Sequence, residues 1–269
     1  MKNNDYISII IVNYINYSLT IKCIESILEK NILNKYEIIV IDNNSPNLSY
    51  EELTFKYKNV NKVKVIKNER NSGFGNANNL GVKESNGNII LILNPDIIVL
   101  DNAIDEMINM LKSNERIGIV SGKLLNEDGS LQYSCRRVLS FSKFLQSRTP
   151  LSKFIDNNKK ELITSEYLMK DMNHDNITEV EWVMGACMMI YKDLFLDLGG
   201  FSKEYFMYFE DVDLCCKVRA VKKKVIYLPN AKMIHLHRQE STKKINKMTL
   251  IHLLSMIKFY FKYYTGKFR

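Results

Sequence analysis

The first 115 residues alternate short apolar runs with segments of helical periodicity. Apolar runs too short to cross a membrane predict buried strands at 7–12, 36–41, 62–67 and 88–93. Helical patterns lie at 18–30, 50–57 and 101–112, and a glycine-rich stretch at 71–79 opens a further helix. Strands that alternate with helices predict parallel βαβ units. Right-handed crossovers then bring the polar residues that end each strand to one edge of the sheet.

The strand at 88–93 ends in Asn94, Pro95 and Asp96. Because Pro95 cannot donate to a ladder, pairing stops there and Asp96 stands at the carboxyl end of a central strand. Ligands bind at this edge of open α/β sheets, and a carboxylate there suits a divalent metal and, through it, a diphosphate. A strand end followed by a helix N-cap explains the same residues, so this motif alone leaves both interpretations open.

The regular alternation stops after residue 115. Further strands are predicted at 117–120, 179–183, 225–228 and 233–238, with a small-residue turn at 182–187 and a helix that begins near Lys192. Residues 121–175 are irregular and polar, which predicts loops together with a mobile lid or an insertion that faces an acceptor.

Aromatic residues at 205–209 run directly into Glu210, Asp211 and Asp213. Acids at a helix N-terminus interact favourably with the helix dipole, which is a purely structural explanation. Apolar surroundings also raise the pKa of a carboxyl group toward that of a useful general base. Two acids would satisfy the structural explanation, so three acids behind an aromatic run favour a functional role.

Two other motifs are ambiguous when taken alone. Gly73 and Gly75 allow a backbone to approach a phosphate closely, but they also suit a simple tight turn. His235 and His237 are two residues apart on a predicted strand and therefore share one face. Such a pair binds a metal or contacts a phosphate, although a histidine pair without function is the commoner case.

The charge of the chain is concentrated in its tail. Residues 241–269 carry +7 of the total charge of +8, so the body is nearly neutral, which argues against a nucleic-acid partner. Residues 243–264 have a helical pattern with an apolar stripe at Ile245, Met248, His252, Met256, Phe259 and Tyr263. A basic amphipathic helix predicts binding to an anionic membrane surface; a docked C-terminal helix and a homodimer contact remain equally open.

Composition further narrows the class of protein and the compartment in which it is expected. The chain is 46% hydrophobic, which is enough for a substantial core. Its 5 cysteines are an odd number without a CxxC pair, which argues against a disulfide framework or a zinc site and favours a reducing cytosol. The N-terminus lacks the pattern of a signal peptide, and no apolar run is long enough for a transmembrane helix.

Ordered motifs over residues 7–240 resemble the inverting, GT-A type glycosyltransferases of family 2, in particular the rhamnosyltransferase-like branch. The motifs are 8–14, 41–45, 71–81, 93–96, 182–186 and 206–213. The resemblance implies an α/β GT-A fold with a Rossmann-like, mostly parallel central sheet flanked by helices and a C-terminal amphipathic helix. A glycosyltransferase domain is expected at 1–240, with a nucleotide-binding half (1–115), an acceptor or catalytic half (116–240) and a separate basic helix (241–269).

The resemblance also implies roles for individual residues. Asp211, with Glu210, is the expected catalytic base, and Mg²⁺ or Mn²⁺ is expected at Asp96 with His235 or His237. Residues expected to bind the nucleotide-sugar are Val12, Tyr14, Asp42, Asn43, Asn71, Gly73, Asn78, Asn94, Asp96, Trp182 and Gly185. Asn94 replaces the first aspartate of the family's Asp-x-Asp motif, and Arg238–Thr242 replace a run of small residues.

The expected reaction moves a sugar, with dTDP-L-rhamnose as the first guess, to a glycan or a polyprenyl-diphosphate-linked glycan of a bacterial surface polysaccharide. The enzyme is then cytoplasmic and peripheral at the inner face of the cell membrane. A UDP-sugar donor (galactofuranose, galactose or another hexose) is an alternative, as is a non-catalytic module that binds nucleotide-sugars. A nucleotidyltransferase would carry a basic, glycine-rich loop after the first strand, where this chain has 13–17, Asn-Tyr-Ile-Asn-Tyr.

Overall fold

The computed structural model describes residues 5–148, 155–236, 247–266 and 268. The strands are β1 Tyr6–Asn13, β2 Lys35–Asp42, β3 Val63–Lys67, β4 Ile89–Leu93, β5 Ile97–Val99, β6 Ile117–Leu125, β7 Leu131–Gln132, β8 Cys135–Arg136, β9 Thr178–Glu179, β10 Trp182–Val183, β11 Cys187–Tyr191 and β12 Lys224–His235. The helices are α1 Tyr17–Leu28, α2 Ser49–Tyr57, α3 Phe74–Lys83, α4 Ala103–Ser113, α5 Phe141–Arg148, α6 Asn157–Tyr167, α7 Lys192–Asp197, α8 Glu210–Ala220 and α9 Lys247–Tyr264.

One large sheet organises the described part of the chain, with the order β3-β2-β1-β4-β11-β6-β12-β5. The strands β3, β2, β1 and β4 are mutually parallel, as are β6 and β12, whereas β11 and β5 run antiparallel to their neighbours. Both faces of β1 are buried: Ile10 packs into one apolar cluster, Ile9 and Ile11 into the other. Burial on both faces explains why these strands are continuous apolar runs, and the predicted mostly parallel sheet flanked by helices is confirmed.

Two strand predictions in the second half are wrong. Cys187–Tyr191 form the buried strand β11, which lies between β4 and β6 in the sheet. The sequence predicts no strand here, only a turn before this segment and a helix after it. Its methionines and cysteine lack the β-branched signature that marks β1 and β2, so composition concealed it. The separate strands predicted at 225–228 and 233–238 are joined in one strand, β12, which ends at His235 and has a register shift between Leu228 and Lys232; residues 237 and 238 lie outside the described residues.

The prediction of loops at 121–175 is also wrong for the residues that the structure describes there. Strand β6 continues to Leu125, and the helices α5 and α6 follow. The short strand β8 pairs with β10, so residues 131–137 lie along the wall of the site described below. A polar composition hid these elements because α6 keeps only one buried side chain, Ile163.

The C-terminal helix α9 docks on the body of the protein. Met256, Phe259 and Tyr260 are buried, and the Tyr260 hydroxyl donates to the Leu139 carbonyl oxygen at 2.8 Å. Of the predicted apolar stripe, Met256 and Phe259 therefore face the core, whereas Tyr263 is exposed and Ile245 lies outside the described residues. A second apolar stripe is exposed on the opposite face, at Leu250, Leu253, Leu254, Ile257, Phe261 and Tyr264. None of the described helices has the length and hydropathy needed to cross a membrane.

Candidate functional site

Polar side chains at the ends of β1 and β2 form a buried hydrogen-bond network, here called the strand-end network. The register pairs Asn13 with Asp42, and the Asn13 amide donates to the Asp42 carboxylate at 2.7 Å. Ser45 donates to the same carboxylate from its hydroxyl at 2.7 Å and from its backbone N–H at 2.9 Å. Parallel strands thus bring these residues to one edge, as predicted, and Asp42 is fully buried there.

Asn43 extends the network to the glycine-rich turn. Its side-chain amide nitrogen donates to the Asn71 side-chain oxygen at 2.9 Å, and its side-chain oxygen accepts from the Ser72 backbone N–H at 3.1 Å. Gly73 has φ +84°, and a Cβ there would lie 1.9 Å from the Phe206 carbonyl oxygen. The close backbone approach that this glycine permits is therefore made to the loop before α8.

The other predicted donor-side residues lie around this edge. Val12 is buried in β1, while Tyr14 is 44% exposed directly after it and is open to stacking. Asn78 is fully buried in α3, where its amide donates to the Phe74 carbonyl oxygen at 3.0 Å. Its own side-chain oxygen has no hydrogen-bond partner among the described residues.

Asp96 and His235 form the candidate metal pair, with 3.2 Å between a carboxylate oxygen and Nε2. The other ring nitrogen, Nδ1, lies 2.6 Å from the side-chain oxygen of Gln132. If Nδ1–H donates to this oxygen, the Nε2 lone pair is directed at Asp96, the arrangement that a metal-binding histidine requires. Asn94 approaches Nε2 at 3.4 Å. The predicted His237 lies outside the described residues.

A divalent ion fits this donor set. The described residues contain no group of three histidine, cysteine or acidic side chains that could hold a metal alone. Mg²⁺ sites in proteins commonly use one or two carboxylates, with water and substrate phosphates as the remaining ligands. The sequence interpretation missed Gln132; the two-residue alternation of Gln132, Ser134 and Arg136 is the signal that could have found it.

The three acids that follow the aromatic run have different surroundings. Asp211 accepts a hydrogen bond from the Gly185 backbone N–H at 3.0 Å, and burial raises the pKa of its carboxyl group. Burial, with the nearby Asp211 charge, raises the pKa of Glu210 to about 8. Asp213 is fully buried and accepts from Lys262 of α9 at 2.6 Å, so it anchors the C-terminal helix.

A short segment of backbone joins the candidate metal pair to Asp211. The Asn94 backbone N–H donates to the Ala186 carbonyl oxygen at 3.0 Å, next to Gly185, which holds Asp211. A Cβ on Gly185 would lie 3.1 Å from the Phe74 ring and 3.4 Å from the Asp211 Cβ, which is tight packing. Asn94, Gly185 and Asp211, distant in sequence, therefore occupy one small region.

A cavity of about 220 Å³, here called the aromatic cavity, opens beside Asp211. Its wall is formed by the second half of the chain and by α9, and includes Arg136, Tyr167, Trp182, Tyr208, Glu210 and Asp211. The Tyr167 and Trp182 ring centroids are 6.1 Å apart, and the Arg136 guanidinium lies 5.4 Å from the Tyr167 centroid. Arg136 lies in the stretch 121–175, for which the sequence indicates only an irregular, polar character.

The loop before α8 has an unusual backbone. Tyr208 and Phe209 both have φ +69°, a left-handed conformation that costs about 1–3 kcal/mol per non-glycine residue. Contacts on two sides hold this loop: the Phe74 N–H donates to the Phe206 carbonyl oxygen at 3.1 Å, and Ser255 of α9 donates to the Met207 carbonyl oxygen at 2.9 Å.

Comparison with known proteins gives consistent matches. The sequence profile of glycosyl transferase family 2 matches residues 8–195. The rhamnosyltransferase WbbL of Escherichia coli is 28% identical over 195 residues, covering 70% of this chain and 69% of that protein. An N-acetylglucosaminyl-diphospho-decaprenol L-rhamnosyltransferase of Mycobacterium tuberculosis is 26% identical over 216 residues, covering 76% and 67%.

Other matches are to longer proteins. The chain spans 25% of an uncharacterized Sinorhizobium fredii protein, with 25% identity over 243 residues and 87% of this chain covered. Among solved structures, GalNAc-T7 with UDP, GalNAc and Mn²⁺ has a TM-score of 0.69 and 18% identity. That match covers 96% of this chain and 48% of the other, so it establishes likeness of fold.

Proposed function

Since the chain belongs to glycosyl transferase family 2, and is thus a glycosyltransferase that uses a nucleotide-sugar, we propose that it transfers L-rhamnose from dTDP-L-rhamnose to a lipid-linked or growing polysaccharide. The proposed donor is supported by the two rhamnosyltransferases among its relatives. The proposed acceptor, a glycan on a polyprenyl diphosphate, is supported by the name of the mycobacterial relative.

One observation carries the assignment of the site. Asn94, two residues before Asp96 of the Asp96–His235 pair, is linked to Asp211 through the adjacent residues Gly185 and Ala186, by hydrogen bonds of 3.0 Å on either side. An inverting transfer needs a site for the diphosphate leaving group and a base close to it, and this arrangement offers both. Asp211 is the proposed base, because its pKa is raised by burial while backbone N–H donors keep its carboxylate oriented.

The proposed reaction is a single displacement. Asp211 takes the proton of the acceptor hydroxyl as the oxygen attacks the anomeric carbon from the face opposite the diphosphate. Asp96 and His235 would hold Mg²⁺ or Mn²⁺, which supplies positive charge to the leaving diphosphate when bound. A divalent ion is supported by their geometry and by the Mn²⁺ of GalNAc-T7. Glu210 lines the aromatic cavity beside the base.

The nucleotide is proposed to bind over the strand-end network. Tyr14 stacks on the base from its exposed position after β1, and the backbone around the network shapes the pocket. Asp42 and Asn43 already bond their own neighbours, so they position this pocket at least as much as they contact the nucleotide. The remaining proposed donor contacts are Val12, Asn71, Gly73, Asn78, Asn94 and Gly185, whereas Trp182 lies in the wall of the aromatic cavity.

The tail is proposed to place the enzyme at the inner face of the cell membrane. Residues 1–240 form the proposed catalytic domain, with its halves at 1–115 and 116–240, and residues 241–269 the proposed membrane contact. The exposed stripe of α9 and the net charge of +7 at 241–269 support binding to anionic lipid. Sedimentation of the wild type, Leu254→Ser and Phe261→Ser with anionic and neutral vesicles tests this proposal. Unchanged binding of the two variants to anionic vesicles would show that the exposed stripe does not contact the membrane.

Thermal unfolding with dTDP, UDP and GDP, each with Mn²⁺ or EDTA, is the first test of the donor. A ligand at a hundred times its Kd stabilises the protein by about 2.7 kcal/mol, which is easily measured. A metal-dependent shift with dTDP supports the proposed donor, whereas a shift with UDP supports a UDP-hexose or UDP-galactofuranose. A protein that binds a nucleotide-sugar but fails to turn it over with lipid-linked glycans would favour the non-catalytic alternative.

A further inference from the structure

Asp211 lines the aromatic cavity, whereas Asp96 and His235 are not among the residues of its wall. Asp211 is held on one side by Gly185, whose neighbour Ala186 bonds Asn94 near Asp96. On its other side it contributes to the cavity wall with Tyr167 and Trp182. In an inverting displacement the acceptor must approach the base from the side away from the leaving diphosphate. The cavity is therefore placed to receive the acceptor.

The wall of the cavity has the chemistry of a site for a sugar phosphate. Tyr167 and Trp182 offer aromatic surface close to Asp211. Arg136 is oriented by its bonds to the Tyr133 and Cys135 carbonyl oxygens and lies over the Tyr167 ring, so its guanidinium is fixed in place. A planar guanidinium recognises phosphate oxygens through paired, charge-assisted hydrogen bonds.

We propose that the aromatic cavity binds the acceptor, and that Arg136 selects an acceptor whose sugar carries a phosphate or diphosphate linked to an apolar chain. This inference rests on the proposed function and assigns the acceptor part of the same site. The apolar chain lies along the aromatic residues that α9 contributes, Phe259 and Tyr260 among them. Burial and the nearby Asp211 charge raise the pKa of Glu210, so its carboxyl group repels a phosphate less than an exposed glutamate would.

A second explanation of Arg136 makes a different prediction. Its charge lowers the pKa of Asp211, opposing the effect of burial. If that were its only role, its removal would raise the pH at which the base loses its proton and would slow transfer to every acceptor equally. A role in recognition instead affects binding of phosphorylated acceptors and leaves uncharged ones unchanged.

Trp182 provides a reporter that does not depend on turnover. It is the only tryptophan of the chain and lines the cavity, so its fluorescence reports occupancy of that cavity. The probes are decyl diphosphate and decyl maltoside, each below its micellar concentration. We expect decyl diphosphate to give a saturable change in fluorescence, with a Kd about 10- to 100-fold weaker in Arg136→Gln and partly restored in Arg136→Lys.

Arg137→Gln is the matched control, because that neighbouring guanidinium is already paired with Asp171 at 2.8 Å and 2.9 Å. Equal binding of both probes, no saturable change, or equal weakening in the control would overturn the proposal. The dTDP-dependent thermal shift is measured on the same variants. Absence of probe binding in the wild-type protein with an intact nucleotide shift contradicts the acceptor assignment alone, whereas absence of the nucleotide shift in the wild type contradicts the proposed function.

Discussion

On the proposed donor side of the site, polar side chains at the strand ends bind one another, whereas on the proposed acceptor side aromatic rings surround two carboxyl groups. The strand-end network uses the ends of β1 and β2 and the turn before α3, all of which lie in the regularly alternating N-terminal part of the chain. The aromatic cavity combines residues from Arg136 to Tyr260 that meet only in the folded protein. The position of the strand-end network thus follows from the regular alternation of strands and helices. The aromatic cavity instead depends on tertiary contacts between distant segments.

This difference has an energetic counterpart. The Asp42 carboxylate accepts hydrogen bonds from Asn13 and Ser45, so its charge is compensated inside the network. Glu210 has one side-chain oxygen without a hydrogen-bond partner among the described residues, and its pKa is raised. Buried polar groups that form hydrogen bonds with one another stabilise the fold. Buried titratable groups with incomplete hydrogen bonding and a shifted pKa are common in functional sites.

Asp211→Asn is expected to have the largest effect and separates the two sides most sharply. Loss of the general base should lower kcat by about 10²–10⁴-fold while the protein stays folded. Asp42→Asn is the contrasting variant: it disturbs the strand-end network and should lower the free energy of unfolding by about 1–3 kcal/mol. Steady-state kinetics and urea unfolding of both variants test the contrast, and an active Asp211→Asn enzyme would refute the base assignment.

Lys262→Met tests whether the acceptor side depends on α9. Lys262 donates to the fully buried Asp213, and removal of one partner of a buried ion pair costs about 3–5 kcal/mol. Because Lys217 remains 3.2 Å from Asp213, we expect a loss near the lower end of that range. Lys258→Met is the control, since that lysine is exposed and donates only to the Glu204 carbonyl oxygen among its described contacts.

Equal destabilisation by the two lysine variants, measured by urea unfolding, would show that the ion pair does not anchor the helix. The nucleotide-dependent thermal shift should survive in Lys262→Met, because the strand-end network makes no contact with α9 among the described hydrogen bonds. An unchanged nucleotide-dependent shift together with weaker acceptor binding would show that α9 supports the aromatic cavity but not the strand-end network.

Gln132→Leu is expected to weaken metal binding by about 10- to 100-fold, the usual cost of removing the hydrogen bond behind a histidine ligand. Gln132 lies 2.6 Å from the ring nitrogen of His235 that faces away from Asp96. Titration of Mn²⁺ in the presence of the nucleotide, followed by thermal unfolding, measures the change. Gln146→Leu on α5 serves as a remote control, and an unchanged Mn²⁺ affinity in Gln132→Leu would contradict a ligand role for His235.

A further prediction concerns the pH dependence of stability. The pKa of Glu210, about 8, exceeds that of an exposed glutamate, so between these values the folded protein binds more protons than the unfolded chain. The free energy of unfolding should therefore fall as pH rises through this interval and level off above about pH 8. Glu210→Gln should reduce this slope and Glu52→Gln should not, as measured by urea unfolding between pH 5 and 9. Parallel pH profiles for all three proteins would contradict a raised pKa.

The regular part of the molecule could be predicted from the sequence, and the GT-A fold and the glycosyltransferase class are confirmed. Strand ends such as Asn13 and Asp42 were predictable because parallel strands share one edge. Gln132 and Arg136 were not, because their importance comes from contacts with His235 and with the cavity, far away in sequence. The tail shows the same limit: both faces of α9 are apolar, so periodicity could not decide which one docks.

The hydrogen bond from the Phe74 N–H to the Phe206 carbonyl oxygen, with Gly73 packed against that oxygen, ties the glycine-rich turn to the loop that leads to Asp211. If a nucleotide on the turn changes the equilibrium of this loop, thermodynamic reciprocity requires an acceptor to change nucleotide affinity by the same factor. The two substrates would then act as each other's effectors within a single domain. In kinetic terms, such coupling would favour ordered binding, in which the first substrate prepares the site for the second.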